Sequence, residues 1–146
     1  MQISSLVFIN KGPIPEKYSA HGENINPPLQ ISDVPAEAIS LTLIMDDPDA
    51  PIGTFTHWLL WNINPKISEI KENSVPAGAM VGAGTSDKPY YTGPRPPSGT
   101  HRYIFHLYAL DTILDIPEQS RVEDLNAAMA GHILKQAELT GIYAKS

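Results

Sequence analysis

The fold is decided by residues 39–63, which read ISLTLIMDDPDAPIGTFTHWLLWNI. Two apolar runs, 39–46 and 55–63, flank a turn that contains Pro48 and Pro51. Runs of this length that are rich in branched and aromatic residues and bounded by turn residues predict β-strands. Their near-continuous apolarity indicates strands that are covered on both faces. Further strands are expected at 102–110, 3–9 and 78–84.

The distribution of proline supports a fold made of strands. The chain of 146 residues contains 14 prolines, about twice the ordinary share. All of them except Pro117 lie at or before residue 97. Because proline ends helices and is kept out of central strand positions, we expect short strands joined by stiff loops in the first two thirds of the chain.

A helical pattern begins near the C-terminus. Ser120 and Glu123 have the spacing of a capping box. Apolar residues then recur at spacings of three and four, which predicts the main helical region from Ser120 to Thr140. These apolar residues are Val122, Leu125, Met129 and Ile133. Gly131 is expected either to kink this helix or to divide it in two. The expected fold is therefore all-β, an antiparallel β-sandwich of the Greek-key type with a C-terminal helical segment, in a single domain spanning 1–146.

Composition excludes several classes of protein. The chain has no cysteine, which excludes a disulfide framework and a thiol nucleophile. A formal net charge of −6 argues against nucleic acid as a partner. No apolar run approaches the roughly 18 residues of a membrane span, and the first residues lack the basic lead of a signal peptide. We therefore expect no membrane span and a cytoplasmic location.

Polar residues that could act chemically gather at the ends of the predicted strands. The turn between the first two strands presents Asp47 and Asp49, and its prolines restrict its motion. Taken alone, an Asp-Pro-Asp turn is more often a solvated acidic turn than a site. His57 lies in an apolar strand, where alternation places it on the face of Phe55, Leu59 and Trp61. A histidine on such a face is more often a satisfied core residue than a ligand contact.

The third polar group precedes the strand at 102–110. His101 and Tyr103 lie two residues apart, so both side chains can point to one face of a sheet. The preceding loop, 93–100, contains three prolines and two glycines, and glycine permits a close approach of the backbone to a ligand. A well-packed turn and a binding site explain this segment equally well.

In their order and spacing, these segments resemble the phosphatidylethanolamine-binding protein family. The resemblance is to its bacterial and archaeal, Raf-kinase-inhibitor-like branch, and it extends over nearly the whole chain. The matching motifs are Asp47-Pro48-Asp49-Ala50-Pro51, His57-Trp58, Gly93-Pro94, His101-Arg102-Tyr103, Gly22-Glu23-Asn24 and Gly131-His132-Ile133-Leu134.

The resemblance implies a small pocket for a phosphate-type anion or a phospholipid head group such as phosphoethanolamine. It also implies a cis Ala50–Pro51 peptide that turns the two aspartates toward the pocket. In the pocket, a histidine paired with an aspartate, the Tyr103 hydroxyl and a backbone N–H near Gly93 would donate to the anion. The implied ligand-binding residues are Asp47, Asp49, His57, Gly93, His101 and Tyr103, with Pro94 shaping the rim.

The chain departs from the branch at three positions near the pocket. His21 stands where the branch often has an aspartate, and Thr92 replaces a glycine. Thr92 and Arg95 are expected to narrow the mouth of the pocket or to change its charge.

The resemblance also implies a partner kinase or serine protease, and it leaves a homodimer open. We expect a non-enzymatic binding protein without a cofactor. The alternative is a metal-dependent hydrolase, because carboxylates and imidazoles can ligate a metal ion. Its ligands would be Asp47, Asp49, His57 and His101.

Overall fold

Two β-sheets of unequal size and one short α-helix form the fold of residues 1–145, which a computed structural model describes. A single 3-10 turn at Glu16–Tyr18 is the other helical element. In chain order the elements are β1 (Gln2–Ser4), β2 (Gly12–Pro13), β3 (Leu29–Ser32), β4 (Ser40–Asp47), β5 (Phe55–Ile63), β6 (Glu69–Ile70), β7 (Met80–Val81), β8 (Thr100–Leu110), α1 (Val122–Met129) and β9 (Ile133–Ala144).

The large sheet has the strand order β2-β9-β8-β4-β5-β7, and the small sheet has the order β1-β3-β6. All pairs are antiparallel except β2 with β9. The three strands predicted from long apolar runs are confirmed as β4, β5 and β8. The strands expected at 3–9 and 78–84 are shorter and are shifted in position.

Both faces of the large sheet are covered, as the apolar runs indicated. Leu43 and Phe105 on one face pack with Leu29 of the small sheet. On the other face, Ile44 packs with Leu125 of α1. Adjacent residues of β4 therefore point into two separate clusters, which explains why this strand shows no alternation of apolar and polar residues.

The helix is much shorter than predicted, and this corrects the expectation of a helical region from Ser120 to Thr140. It ends at Met129, and Gly131 follows with a φ of +81°. A glycine in the left-handed region is a common helix terminator. Residues Ile133–Ala144 then form β9, which pairs with β8 over nearly its whole length. The last element of the chain is therefore a strand of the large sheet.

The capping box lies one residue later than predicted. The carboxylate of Asp124 accepts a hydrogen bond of 3.0 Å from the backbone N–H of Arg121. The hydroxyl of Ser120 instead donates to the carbonyl of Pro117 at 2.6 Å. The helix consequently begins at Val122 rather than at Ser120.

A β-bulge interrupts β5 at His57. Met45 of β4 pairs with Trp58, and the next residue, Asp46, pairs with Thr56. His57 is the extra residue on the bulged strand, and a bulge of this kind shifts the side-chain alternation.

The bulge overturns the face predicted for His57. Leu59 and Trp61 pack in the cluster beneath α1. The His57 ring instead lies 5.3 Å from the ring of Tyr103, edge to face, and Tyr103 belongs to the cluster between the two sheets. Within the described residues, no helix is long and apolar enough to cross a membrane.

Candidate ligand-binding site

A cavity of about 450 Å³ opens where three adjacent strands meet the loops at one end of the large sheet. These are the end of β4 and the beginnings of β5 and β8, which lie together because the strands are antiparallel. The cavity is lined by Ala20, Asn24, Asp47, Ala50, Pro51, Ile52, Phe55, His57, Lys88, Thr92, Gly93, Arg95, Pro97, His101 and Tyr103.

Asp47 and His101 form a buried, hydrogen-bonded pair in this cavity. The Oδ2 atom of Asp47 lies 2.6 Å from Nδ1 of His101. Its other oxygen, Oδ1, accepts the backbone N–H of Asp49 at 2.8 Å. Because Nδ1 of His101 is bonded to Asp47, Nε2 is the ring nitrogen that can contact a ligand.

His57 is oriented by the loop that follows β7. Its Nδ1 donates to the carbonyl of Thr92 at 2.7 Å, with the tautomer assigned from this acceptor. Burial lowers the pKa of His57 below its usual value, although the Thr92 carbonyl and the Asp47 carboxylate oppose the shift. The ring is neutral. Because Nδ1 faces the Thr92 carbonyl, Nε2 and its lone pair point away from that carbonyl.

Tyr103 contributes a buried phenol. Its side chain is fully buried, and its hydroxyl has no hydrogen-bond partner among residues 1–145. Burial raises the pKa of Tyr103, and the nearby Asp47 carboxylate raises it further. The hydroxyl stays protonated at neutral pH, and an unpaired buried donor is costly unless a ligand or water accepts from it.

Gly93 lines the cavity, but its N–H is already used. Oδ1 of Asn24 accepts that N–H at 2.7 Å. A Cβ at this position would lie 2.3 Å from the carbonyl oxygen of Tyr18, so only glycine fits. The N–H expected to reach the anion near Gly93 is therefore not that of Gly93 itself, which serves the close packing of its loop.

Asp49 and Pro94 are not among the residues that line the cavity, although Pro94 lies between the lining residues Gly93 and Arg95. The Asp49 carboxylate accepts from the backbone N–H and Nε of Arg102 at 2.9 Å and from Nη2 at 2.8 Å. These bonds to Arg102 lower the pKa of Asp49 to about 2. Pro94 is buried, and its carbonyl accepts the N–H of Ala20.

The expected cis peptide is also wrong, since residues 1–145 contain no cis peptide bond. The turn between β4 and β5 closes by other means. Asp47 accepts the N–H of Asp49, and the N–H of Gly53 donates to the carbonyl of Ala50 at 3.1 Å. Gly53 has a φ of +108°, a conformation that glycine adopts without strain.

Two cations lie at the mouth of the cavity. Lys88 and Arg95 are both exposed and both line it. Neither forms an ion pair with any residue of the described chain. The sequence marked Arg95 as a departure that changes the charge of the mouth, whereas nothing in the sequence indicated Lys88.

Sequence reasoning also missed the polar and apolar partners of the central residues. Asn24 was part of a matching motif, but its bond to Gly93 depends on a contact across 69 residues. Phe55 was expected on the face of His57 from alternation, and its ring lies 4.8 Å from the His57 ring. Ile52 also lines the cavity, and it lies in the turn that contains Pro48 and Pro51.

The four side chains expected as ligands in the metal-hydrolase alternative do not come together as a metal site. No group of three or more histidine, cysteine, aspartate or glutamate side chains in residues 1–145 is placed to hold a metal ion. Asp49 is bound to Arg102, and Nδ1 of His57 is bound to Thr92.

The fold and the cavity define a class of mostly-β proteins with a ligand-sized pocket at the ends of the central strands. The sequence model of the phosphatidylethanolamine-binding protein family matches residues 4–144. The chain therefore belongs to the phosphatidylethanolamine-binding protein family, and membership supports a ligand-binding role.

Similar proteins come from archaea and bacteria. A UPF0098 protein of Methanothermobacter thermautotrophicus is 46% identical, with 99% of each chain covered. A putative phosphatidylethanolamine-binding protein homologue of Chlamydia trachomatis has a solved structure with a TM-score of 0.96 and 43% identity, covering 99% of this chain and 97% of that one. Escherichia coli YbcL shares the fold, with a TM-score of 0.92, 24% identity, and 99% and 98% coverage.

Proposed function

We propose that this protein is a non-enzymatic binding protein that takes a small phosphate-type anion in the cavity at the ends of β4, β5 and β8. The observation that carries the proposal is the buried pair of Asp47 and His101 beside the unpartnered hydroxyl of Tyr103. Buried polar groups without partners are rare in native proteins and call for a partner. An oxyanion supplies several acceptor atoms at once.

The charges of the cavity support an anion. Lys88 and Arg95 line the cavity without ion-pair partners in the described chain, and the Lys88 ammonium lies 6.0 Å from the centre of the Tyr90 ring. The negative charge of Asp47 is shared between His101 and the N–H of Asp49, which reduces its repulsion of a bound anion. Arginine and lysine are common ligands of phosphate oxygens.

Titration calorimetry with inorganic phosphate tests the proposal. A hydrogen bond from a charged imidazole contributes about 1.5–3 kcal/mol, so His101→Ala should weaken binding about tenfold or more. Tyr103→Phe removes a neutral donor, which contributes about 0.5–1.5 kcal/mol. His132→Ala is the matched control, since His132 is exposed and does not line the cavity. Absence of phosphate binding by the wild type would end the proposal.

The non-enzymatic part has its own test. Asp49 is bound to Arg102, so Asp47 is the one carboxylate among the described residues that line the cavity. We expect p-nitrophenyl phosphate to bind without release of p-nitrophenol, with or without added Zn²⁺ or Mn²⁺. Release that disappears in His101→Ala would establish an enzyme instead.

A regulatory role extends the proposal to a partner protein. The family resemblance implies inhibition of a kinase or a serine protease. The exposed side chains of Ile52 and Tyr90, which lie in two different loops, offer apolar contact surface for such a partner. We expect the wild type to inhibit a trypsin-like or subtilisin-like protease and Ile52→Asp to lose this inhibition. Full activity of every protease tested, at a saturating concentration of the wild-type protein, would remove the regulatory role from the proposal.

A further inference from the structure

A second cavity, of about 280 Å³, shares a wall with the first, and this wall is the segment 88–93. The ends of the segment line the first cavity, whereas its middle residues, Pro89, Tyr90 and Tyr91, line the second. Tyr91 is held in place, because its hydroxyl donates to the carbonyl of Tyr18 at 2.8 Å. The two cavities are therefore neighbours with different linings.

The buried side chain of Asn26 holds another wall of the second cavity. Its Nδ2 donates to the carbonyl of Lys71 at 2.9 Å, and its Oδ1 accepts the N–H of Ser74 at 2.9 Å. The carbonyl of Asn26 accepts the N–H of Asn73 at 3.1 Å. These bonds join the loop before β3 to the loop between β6 and β7. The cavity is consequently formed before a ligand arrives, as is usual for sites that bind small molecules.

The second cavity differs from the first in charge. Asp47, Lys88 and Arg95 line the first cavity, whereas no charged residue of the described chain lines the second. The Lys88 ammonium lies 6.0 Å from the centre of the Tyr90 ring, but Lys88 itself lines only the first cavity. A charge that is buried without a partner is far more costly than a buried neutral group. The second cavity therefore favours an uncharged ligand.

Three aromatic side chains, Trp58, Tyr90 and Tyr91, line the second cavity, which suits a ring. Trp58 is only 2% exposed, and its Nε1 has no hydrogen-bond acceptor among residues 1–145. A buried donor without a partner is rare in native proteins and calls for an acceptor. Asn24 also lines the cavity, and because its Oδ1 is bonded to the N–H of Gly93, its Nδ2 is the group that can donate to a ligand. The donors favour a carbonyl oxygen.

We infer that the second cavity binds a small uncharged ligand that combines a ring with a carbonyl group, the chemistry of an aromatic carboxamide. The inference goes beyond the proposed function and does not depend on it, because it concerns a different cavity. The size is suitable, since an apolar cavity of about 150 Å³ holds a benzene ring and this cavity measures about 280 Å³.

The indole N–H signals of the ¹⁵N-labelled protein test the inference during a titration with benzamide. The chain has two tryptophans, and Trp61 is an internal control, because it is buried in the cluster beneath α1 and does not line the cavity. We expect a saturable shift of the Trp58 signal alone. Benzoate, which has the same shape and a negative charge, should need at least a tenfold higher concentration. An unchanged Trp58 signal at the solubility limit of benzamide, or an equal response to benzoate, would overturn the inference.

A charge placed at the rim of the second cavity provides a further test. Val75 lines this cavity and is 44% exposed, so Val75→Asp should fold and should weaken benzamide binding at least tenfold. Ile113→Asp is the matched control, because Ile113 is 55% exposed and lines neither cavity. Benzamide binding that is equally tight in Val75→Asp and the wild type would contradict the site. Failure of inorganic phosphate to bind the wild type would overturn the proposed function and leave this inference intact.

Discussion

The carboxylate of Asp47 links the turn after β4 to the first residues of β8, because Oδ1 holds the N–H of Asp49 and Oδ2 holds Nδ1 of His101 at 2.6 Å. One side chain therefore fixes both the turn and the orientation of the imidazole. His101 cannot rotate away from the cavity without leaving a buried carboxylate unpaired, which is costly.

The first prediction follows from this pair. Asp47→Asn should weaken phosphate binding about tenfold, because a charge-assisted hydrogen bond contributes about 1.5–3 kcal/mol. Loss of a negative charge opposes this effect, but orientation of His101 should dominate. Calorimetry is the measurement, and Asp111→Asn is the matched control, since Asp111 forms an exposed pair with His132 at 2.8 Å. Tighter binding by Asp47→Asn would show that repulsion dominates.

Asp49 should behave differently from Asp47, because its carboxylate is held by Arg102 outside the cavity. Asp49→Asn should lower the free energy of unfolding at pH 7 by about 0.5–1 kcal/mol, the range of exposed ion pairs. Phosphate affinity should change less than threefold. A tenfold loss of affinity in Asp49→Asn would place this carboxylate in the binding site after all.

The stability contribution of Asp49 should also depend on pH. The pKa of Asp49 is lowered to about 2 in the folded protein by the bonds to Arg102. The contribution is therefore present above the ordinary pKa of an aspartate and is lost as pH falls through about 2. Urea unfolding of wild type and Asp49→Asn should converge at the acid end of this range, and a constant difference would contradict the assignment.

Binding of an anion should weaken as pH rises. Burial lowers the pKa of His57, whereas a bound anion favours the imidazolium form. Binding then takes up a proton, so affinity falls as pH rises from 5.5 to 8. Sulfate is the suitable probe because its own charge is constant in this range. A dissociation constant that stays flat across the range would show that His57 gains no proton on binding.

A second histidine should make the fold itself pH-dependent. His106 lies on the opposite face of the large sheet, 3.1 Å from Asp46 and 3.3 Å from Glu138. Burial lowers the pKa of His106, but the two carboxylates raise it by more, so the net pKa is raised. Its stabilisation is full below the ordinary pKa of histidine and is lost as pH rises through the raised value.

The measurement for His106 is urea unfolding at pH 5.5 and at pH 8.5. His106→Gln should destabilise the protein by about 1 kcal/mol or more at pH 5.5, where the wild-type imidazole is charged, and by less at pH 8.5. His132→Gln, which changes an exposed histidine, is the control. An equal loss of stability at both values of pH would contradict a raised pKa.

The sequence predicted the central strands and the place of the site because both depend on local patterns. The long apolar runs could only be buried as β4, β5 and β8, and their polar ends meet at one edge of an antiparallel sheet. The predicted helix was too long because residues 133–139 fit a helical period as well as an alternating one. The positive φ of Gly131, which separates helix from strand, is not visible in composition.

The errors at the site have a different origin. The bulge at His57 depends on the pairing of β5 with β4, so strict alternation placed the ring on the wrong face. The bonding of Asp49 to Arg102 joins residues 53 positions apart, and no pattern near Asp49 indicates it. Positions of side chains that depend on long-range pairing could not be read from local sequence.

The most direct test of the proposed site is a nuclear magnetic resonance titration of the imidazole nitrogens with inorganic phosphate. We expect saturable shifts of the His57 and His101 resonances that follow one dissociation constant, while the resonances of the exposed His132 stay unchanged. In His101→Ala, the remaining shift of His57 should need about ten times more phosphate. Unchanged resonances of His57 and His101 at saturating phosphate, or shifts confined to His132, would contradict an anion site at the ends of β4, β5 and β8.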